Sequence, residues 1–327
     1  MTKILITVDT ELSARFHHLG IGCDQNFASS ILGRCSAGDF GIAWQMDQME
    51  RRGLSGIFFI DPLPALVYGE AWLADVVGPV VARGHEVQLH IHTEWLAWAK
   101  DSPVEGRTGQ NLADFSYEDQ HVLLGVAAAL LVGAGAPQLT AFRAGNYGAD
   151  DNSLRALASL GLRWDSSVNA PYLGTTCRIG LETDQVSAVA RHGIVELPVG
   201  GIHDSGKRIR PAQVCALSAR EMSDALNHAA AGAHPAFVVV THSFEMLSRD
   251  RRRTNGTVIA RFEAMCDAIA AHPAMTTTGF AALDPVAVAQ GGAPQPSRLR
   301  PNRLRTYARI AEQALATWRY DRQLRPV

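Results

Sequence analysis

Along this chain, short apolar runs alternate with longer stretches whose apolar residues recur at helical spacing. The pattern predicts strands over residues 3–9, 54–61, 86–92, 139–143, 162–165, 194–198, 237–242 and 275–278, each brief and bounded by turn residues. Helix starts are marked between them. Ser116-x-x-Asp119 and Ser218-x-x-Glu221 have the form of capping boxes, and Asp151 opens a helix that ends at Gly161. Repeated β/α order implies an α/β fold of parallel strands and crossover helices, either an open sheet or a closed barrel.

The polar residues separate those two architectures. Asp9, Asp61, His90, His92, Arg143, Asp165 and His242 fall at or just after the C-terminal ends of different strands, where a (β/α) barrel assembles its active site. A barrel gathers all of them into one bowl, whereas an open sheet gathers only those near its switch point. Two long insertions, 12–40 and 93–115, follow the first and third strands. Loops of that length at the active face shape substrate access. His17 and His18, in the first insertion, are read as loop histidines.

Composition narrows the function. With 327 residues, 47% hydrophobic and 19% charged, the chain is long enough to bury a substantial core. A net charge of -2 gives no overall attraction to nucleic acid or an acidic membrane. The amino terminus reads as a strand that reaches Asp9 rather than a signal peptide, and no apolar run approaches the ~18 residues of a membrane span. A cytoplasmic protein is expected. Its five cysteines are odd in number and widely spaced, which fits reduced thiols.

The last part of the chain differs in character. Residues 1–290 form the expected barrel, 291–297 (Gly-Gly-Ala-Pro-Gln-Pro-Ser) read as a linker, and 298–327 carry eight arginines against Glu312 and Asp321. Leu304, Ala308, Ala311, Leu315 and Trp318 keep helical spacing, so the tail is expected to be a basic amphipathic helix. The favoured reading docks it on the barrel through this apolar stripe, with its arginines solvated. Contact with a membrane surface or an assembly complex is the alternative.

The most informative stretch is Gly-His-Glu-Val-Gln-Leu-His-Ile-His-Thr-Glu-Trp, residues 84–95. Alternation along a strand puts Gln88, His90 and His92 on one face, opposite Leu89 and Ile91. Two imidazoles with a nearby carboxylate are common ligands of a divalent first-row metal. Asp9-Thr-Glu11 supplies two carboxylates on one side of the first strand, suited to a division in which one binds metal and the other accepts a proton from a water. Structural ion pairs are the competing explanation, but like charges so placed repel unless a cation lies between them.

Thr7-Val-Asp-Thr-Glu11, Gly84-His-Glu-Val-x-x-His90, Phe142-Arg-Ala-Gly-Asn-Tyr147, Trp164-Asp-Ser-Ser167 and Thr241-His242 occur in this order. Together they resemble the five motifs of the polysaccharide deacetylase (NodB-homology) family, carbohydrate esterase family four, over residues 1 to about 285. The resemblance implies a distorted, often seven-stranded (β/α) barrel that removes acyl groups from sugars with one divalent metal ion. By position, Asp9 resembles the catalytic base, His242 the catalytic acid, Arg143 the residue that holds the base, and Asp165 the support of that arginine. Tyr147 corresponds to the residue whose backbone N–H faces the developing oxyanion.

The chain departs from the family pattern at three points. The usual Asp-Asp pair becomes Asp9-Thr-Glu11, which makes Glu11 the metal-binding acid. Family spacing puts a second histidine where this chain has Glu94, so either Glu94 binds metal or His92 substitutes for it from the strand. Finally, the segment Arg143 to Tyr147 is one residue longer than the usual third motif and lacks its proline. Zinc suits such a donor set, and iron, cobalt, nickel or manganese are also accepted. The resemblance implies an N-acyl hydrolase acting on a sugar or glycolipid of surface-polysaccharide synthesis. Alternatives are hydrolysis of a formamide or cyclic amide on the same barrel, or a non-catalytic carbohydrate-binding scaffold.

Overall fold

The computed structural model describes residues 1–182, 184–204, 208–291 and 296–321. Eight strands lie where the apolar runs predict them: β1 Thr2–Thr10, β2 Ile57–Ile60, β3 Glu86–Ile91, β4 Ala141–Ala144, β5 Trp164–Asp165, β6 Ile194–Glu196, β7 Ala236–His242 and β8 Met275–Thr277. They form a curled sheet in the order β7-β1-β2-β3-β4-β5-β6, all parallel, with Val189–Arg191 antiparallel at the β6 edge and β8 beside the first residues of β1. Two isolated bridges, Val199 to Val238 and Gln213 to Val240, tie the chain beyond β6 back to β7. The sheet therefore curls into a barrel-like bowl.

Alternation along each strand divides the apolar residues between two cores. Leu5, Phe59, Ala141, Trp164, Val195 and Val238 pack inside the curl. Ile4, Phe58, Leu89, Phe142, Ile194 and Val239 face outward, beneath the helices. Thr7 and Asp9 keep the parity of Leu5, and Arg143 that of Ala141, so their polar side chains occupy the interior at the C-terminal end of the strands. Helices begin where the caps mark them. Ser116 accepts from Asp119 N, and Ser218 with Glu221 forms a reciprocal capping box. The helix Asp151–Ser159 is capped one residue earlier than its first position, by Asp150.

The expected linker 291–297 falls largely on residues 292–295, outside those described. Beyond it, Arg303–Ala316 is a helix that continues as one π turn over Thr317–Asp321. This helix docks on the barrel, but through the face opposite to the one expected. Arg309 is 2% exposed and pairs with Glu221 and Asp204; Arg305 pairs with Asp224, and Glu312 with Arg261. Leu304, Tyr307, Ile310, Leu315 and Trp318 are turned to solvent. Periodicity marks two faces of a helix without stating which is buried, and here the acids of the helix Ala219–Ala231 select the arginine face.

Arg309 is expected to be a stability determinant. Truncation of Arg309→Ala would leave the buried Glu221 carboxylate without its cation and take one arginine from Asp204, which still pairs with Arg210, and breaking a buried pair in this way costs about 3–5 kcal/mol. Denaturant unfolding of the variant should show that loss, and a change within 0.5 kcal/mol would mean that the pairing contributes little.

Candidate active site

The strand ends and their following loops wall a cavity of about 610 Å³ that exposes Asp9, Glu11, His90, His92, Tyr147 and His242 on its surface. Arg143 anchors the floor. Its side chain is fully buried, stacked at 4.4 Å over the Phe59 ring. Its guanidinium donates to Asp9 Oδ1 (2.6 Å) and Thr7 Oγ1 (2.8 Å) through Nη1, and to the Ser166 carbonyl (3.1 Å) through Nε. The backbone carbonyl of the same residue lies 2.6 Å from His90 Nδ1. His90 therefore donates from Nδ1 and keeps Nε2 free to face Glu11.

Glu11 sits just beyond β1 between the two imidazoles. Its Oε2 is 2.6 Å from His92 Nε2 and 3.3 Å from His90 Nε2. Oε2 is buried without an aligned hydrogen bond. One ligand atom from each of Glu11, His90 and His92 lies within 4.8 Å of the others, a spacing that can hold a metal ion. Burial alone would raise the Glu11 pKa, yet the charge of His92 and the contacts with His90 and His92 hold it well below the ordinary value. Burial likewise opposes charge on His92, but Glu11 and then Glu94 hold its pKa well above normal.

Glu94 is not in this cluster. It lies behind His92, with Oε2 3.5 Å from Nδ1, and accepts from Asn146 Nδ2 at 3.2 Å. The loop from Gly145 to Tyr147 presses on the other side of the ring. A Cβ at Gly145 would stand 2.7 Å from the His92 ring, so only glycine admits this approach. Asn146 and Tyr147 follow with φ of 54° and 56°, the left-handed region that is strained for side-chain-bearing residues. The Tyr147 phenol accepts from Gln213 Nε2 at 2.7 Å.

On the opposite wall, His242 Nε2 is 4.0 Å from Asp9 Oδ2, and its Nδ1 is 2.8 Å from Glu245 Oε1. Burial lowers the imidazole pKa, but Glu245, Asp9 and Glu11 outweigh it and push it up to about 9. Asp61, at the end of β2, is fully buried, with Oδ1 accepting from Leu63 N and Oδ2 lacking a partner. Burial and the nearby Glu11 raise its pKa to about 7 against the opposing pull of His92 and His90.

Asp165 does not take the position expected of it. Trp164 occupies the interior, so Asp165, one residue on, points to the outer face, where Ser167 donates to its Oδ1 at 2.6 Å. Arg143 is supported instead by Ser166, which alternation returns to the interior. Asp165 is level with Glu196 on the neighbouring strand. Burial and mutual repulsion raise the pKa of Glu196 well above normal, and burial raises that of Asp165. His17 packs among Tyr68, Trp95 and Trp98, away from the cavity. Two contributors escaped the sequence reading. Glu245 carried a signal in its spacing of three from His242, whereas Gln213 carried none.

No family model matches the sequence, and no curated protein matches it. Among solved structures, the fold is similar to one from Mycobacterium smegmatis named provisionally as a polysaccharide deacetylase. The match has 15% identity and a TM-score of 0.55 over 90% of this chain and 93% of that one. A family 4 carbohydrate esterase from Streptomyces lividans in complex with acetate aligns at 11% identity and a TM-score of 0.44, covering 92% and 98%. A 4-alpha-glucanotransferase from Thermococcus litoralis aligns at 12% and 0.49, covering 92% of this chain and 41% of that one. At these identities the likeness is one of fold, and the first comparison places the chain in the barrel architecture of the deacetylases.

The Glu245 contact leads to a pH prediction for metal-free protein. A His242 pKa raised to about 9 stabilises the fold in full below its unfolded value of about 6.5, and that contribution disappears as pH rises through about 9. The Glu245→Gln substitution should move the His242 titration, followed by NMR, down toward the ordinary histidine range and flatten stability over this window. An unchanged midpoint would show that Glu245 does not hold the proton.

Proposed function

We propose that this chain is a divergent polysaccharide deacetylase, a metal-dependent hydrolase that removes an N-acyl group, acetyl above all, from a sugar. The observation that carries this reading is the convergence, around one cavity, of a three-ligand cluster with an arginine-held carboxylate and a carboxylate-held imidazolium on its two sides. Glu11, His90 and His92 are assigned as the ligands, with Glu94, facing Nδ1 of His92, orienting that ring as carboxylates commonly orient metal-bound histidines. The buried Glu11 Oε2, crowded by two imidazoles without an aligned donor, fits a position meant for a cation. A divalent ion held there supplies Lewis-acid polarisation of the acyl oxygen and acidifies a water, with zinc favoured by the donor set.

The protein's own groups then divide the proton work. Arg143 occupies Oδ1 of Asp9 and leaves Oδ2 toward the cavity to accept the proton of the attacking water. His242, kept protonated at neutral pH by Glu245, donates from Nε2 to the departing nitrogen. The backbone N–H of Tyr147 is assigned to the oxyanion. The name of the Mycobacterium smegmatis neighbour supports acetylated polysaccharide as the substrate class, and the 610 Å³ cavity suits a sugar unit with its acyl group.

Acetate release from N-acetylated sugars, measured before and after chelation and metal return, tests the reading as a whole. Activity that survives full chelation would overturn it. Within it, Asp9→Asn should keep metal and lose roughly 10²–10⁴ in turnover. By metal analysis, His90→Ala and His92→Ala should lose the ion, Glu94→Gln should weaken it about 10–100-fold, and His242→Ala should retain it. Loss of metal in Glu94→Gln equal to that in His92→Ala would put Glu94 among the ligands.

A further inference from the structure

The C-terminal helix is attached by its polar face and presents its apolar face outward. Of the eleven exposed large hydrophobic side chains among the described residues, five fall between 304 and 318: Leu304 at 81%, Tyr307 at 66%, Ile310 at 49%, Leu315 at 63% and Trp318 at 58%. With the exposed Ala308 and Ala311 they make one stripe at spacings of three and four. A contiguous apolar patch of this kind on a soluble domain marks an interaction surface. The opposite face, Arg305, Thr306, Arg309 and Gln313, is committed to bonds with Asp224, Asp204, Glu221 and Ala216, so the stripe cannot turn inward without breaking them.

We infer that this face docks on an anionic lipid surface. The charge around it selects the occupant. Arg300, Arg303 and Arg319 are exposed at its margins, and Arg253, also exposed, donates to the Arg319 carbonyl. The neighbouring acids Glu312 and Asp224 are turned to Arg261 and Arg305. An apolar stripe with tryptophan and tyrosine, rimmed by arginine, matches the acyl boundary and phosphate layer of an anionic leaflet. A second copy of the chain fits less well, because a two-fold pairing of the helix on itself brings arginine rims together. The docked helix also lies beside the cavity. Glu312 binds Arg261, and Arg261 donates to the carbonyl of Cys215, a cavity-lining residue. On the hydrolase reading above, this favours an acylated sugar carried on a membrane lipid.

Co-sedimentation of the full chain with vesicles of phosphatidylglycerol and phosphatidylcholine, compared with phosphatidylcholine alone, tests the inference without recourse to activity. Binding is expected to the anionic vesicles and to decline with salt. Replacing Arg300, Arg303 and Arg319 by glutamine should weaken it by roughly fivefold per arginine, and Leu304→Asp with Leu315→Asp should abolish it. Both variants should keep the wild-type melting temperature, since the replaced side chains are exposed. No binding by the wild-type chain, equal binding to both vesicle types, or binding unchanged by the two aspartates would overturn the inference. So would a dimer in sedimentation velocity that the aspartates dissolve while vesicle binding is absent.

Discussion

Arg143 is the residue on which the site depends. Burying an isolated guanidinium is prohibitively unfavourable, and here the charge is met by Asp9, with Thr7, Ser166 and the face of Phe59 completing its surroundings. The same residue fixes the tautomer of His90 through its backbone carbonyl. One buried side chain thus orients the proposed base, 134 positions away in sequence, and one carbonyl orients a proposed metal ligand 53 positions away. Neither can shift without the other, because both hang from β4. A hydrolase needs its proton acceptor and its cation held in fixed relation to a single reacting carbon, and a shared anchor secures this more firmly than two independent ones.

The charges arrayed around Arg143 are biased in opposite directions by similar burial. Glu11 and His92 hold each other charged, Glu245 holds His242 charged, while Asp61 and Glu196 are pushed toward their neutral forms. The difference lies in partners rather than depth. Glu11 and His242 each meet an opposite charge at 2.6–2.8 Å that outweighs desolvation, whereas at Asp61 desolvation exceeds the more distant pull of His92 and His90, and at Glu196 desolvation and the repulsion of Asp165 add. Before any metal enters, a proton on His92 balances Glu11. At the proposed metal site a cation would have to displace that proton, so its affinity would rise with pH over the range where His92 titrates.

Much of this was legible in the sequence, and the failures fall where alternation was overridden or does not reach. The strands were marked by apolar runs, and the inward parity of Asp9, His90 and Arg143 followed from alternation. Glu11 and His92 were within reach as acid and imidazole on the same rim. Asp165 was misplaced because the motif resemblance overrode the same alternation rule: Trp164 holds the interior, so its neighbour cannot. Glu94 and His92 stayed unresolved because β3 ends at Ile91, before both, and parity does not extend into the turn that follows. Gln213 reaches Tyr147 across 66 positions, a relation that only the curl of the sheet creates. Glu245 was the one omission with a local cue, three residues after His242.

The C-terminal helix shows a limit of a different kind. Its stripe of Leu304, Leu315 and Trp318 is what a sequence reader assigns to a core, and burial of such side chains normally contributes ~1.5–3 kcal/mol each. The chain forgoes that contribution and attaches the helix with arginine pairs, which are individually weak sources of net stability because desolvation offsets attraction. Ion pairs are directional, however, and Arg309 between Glu221 and Asp204 can be satisfied in only one rotation of the helix. Apolar docking would have buried the stripe and left the arginines out. Fixing the rotation by charge keeps an apolar surface displayed at a constant angle beside the cavity, which is what a surface reserved for another phase requires.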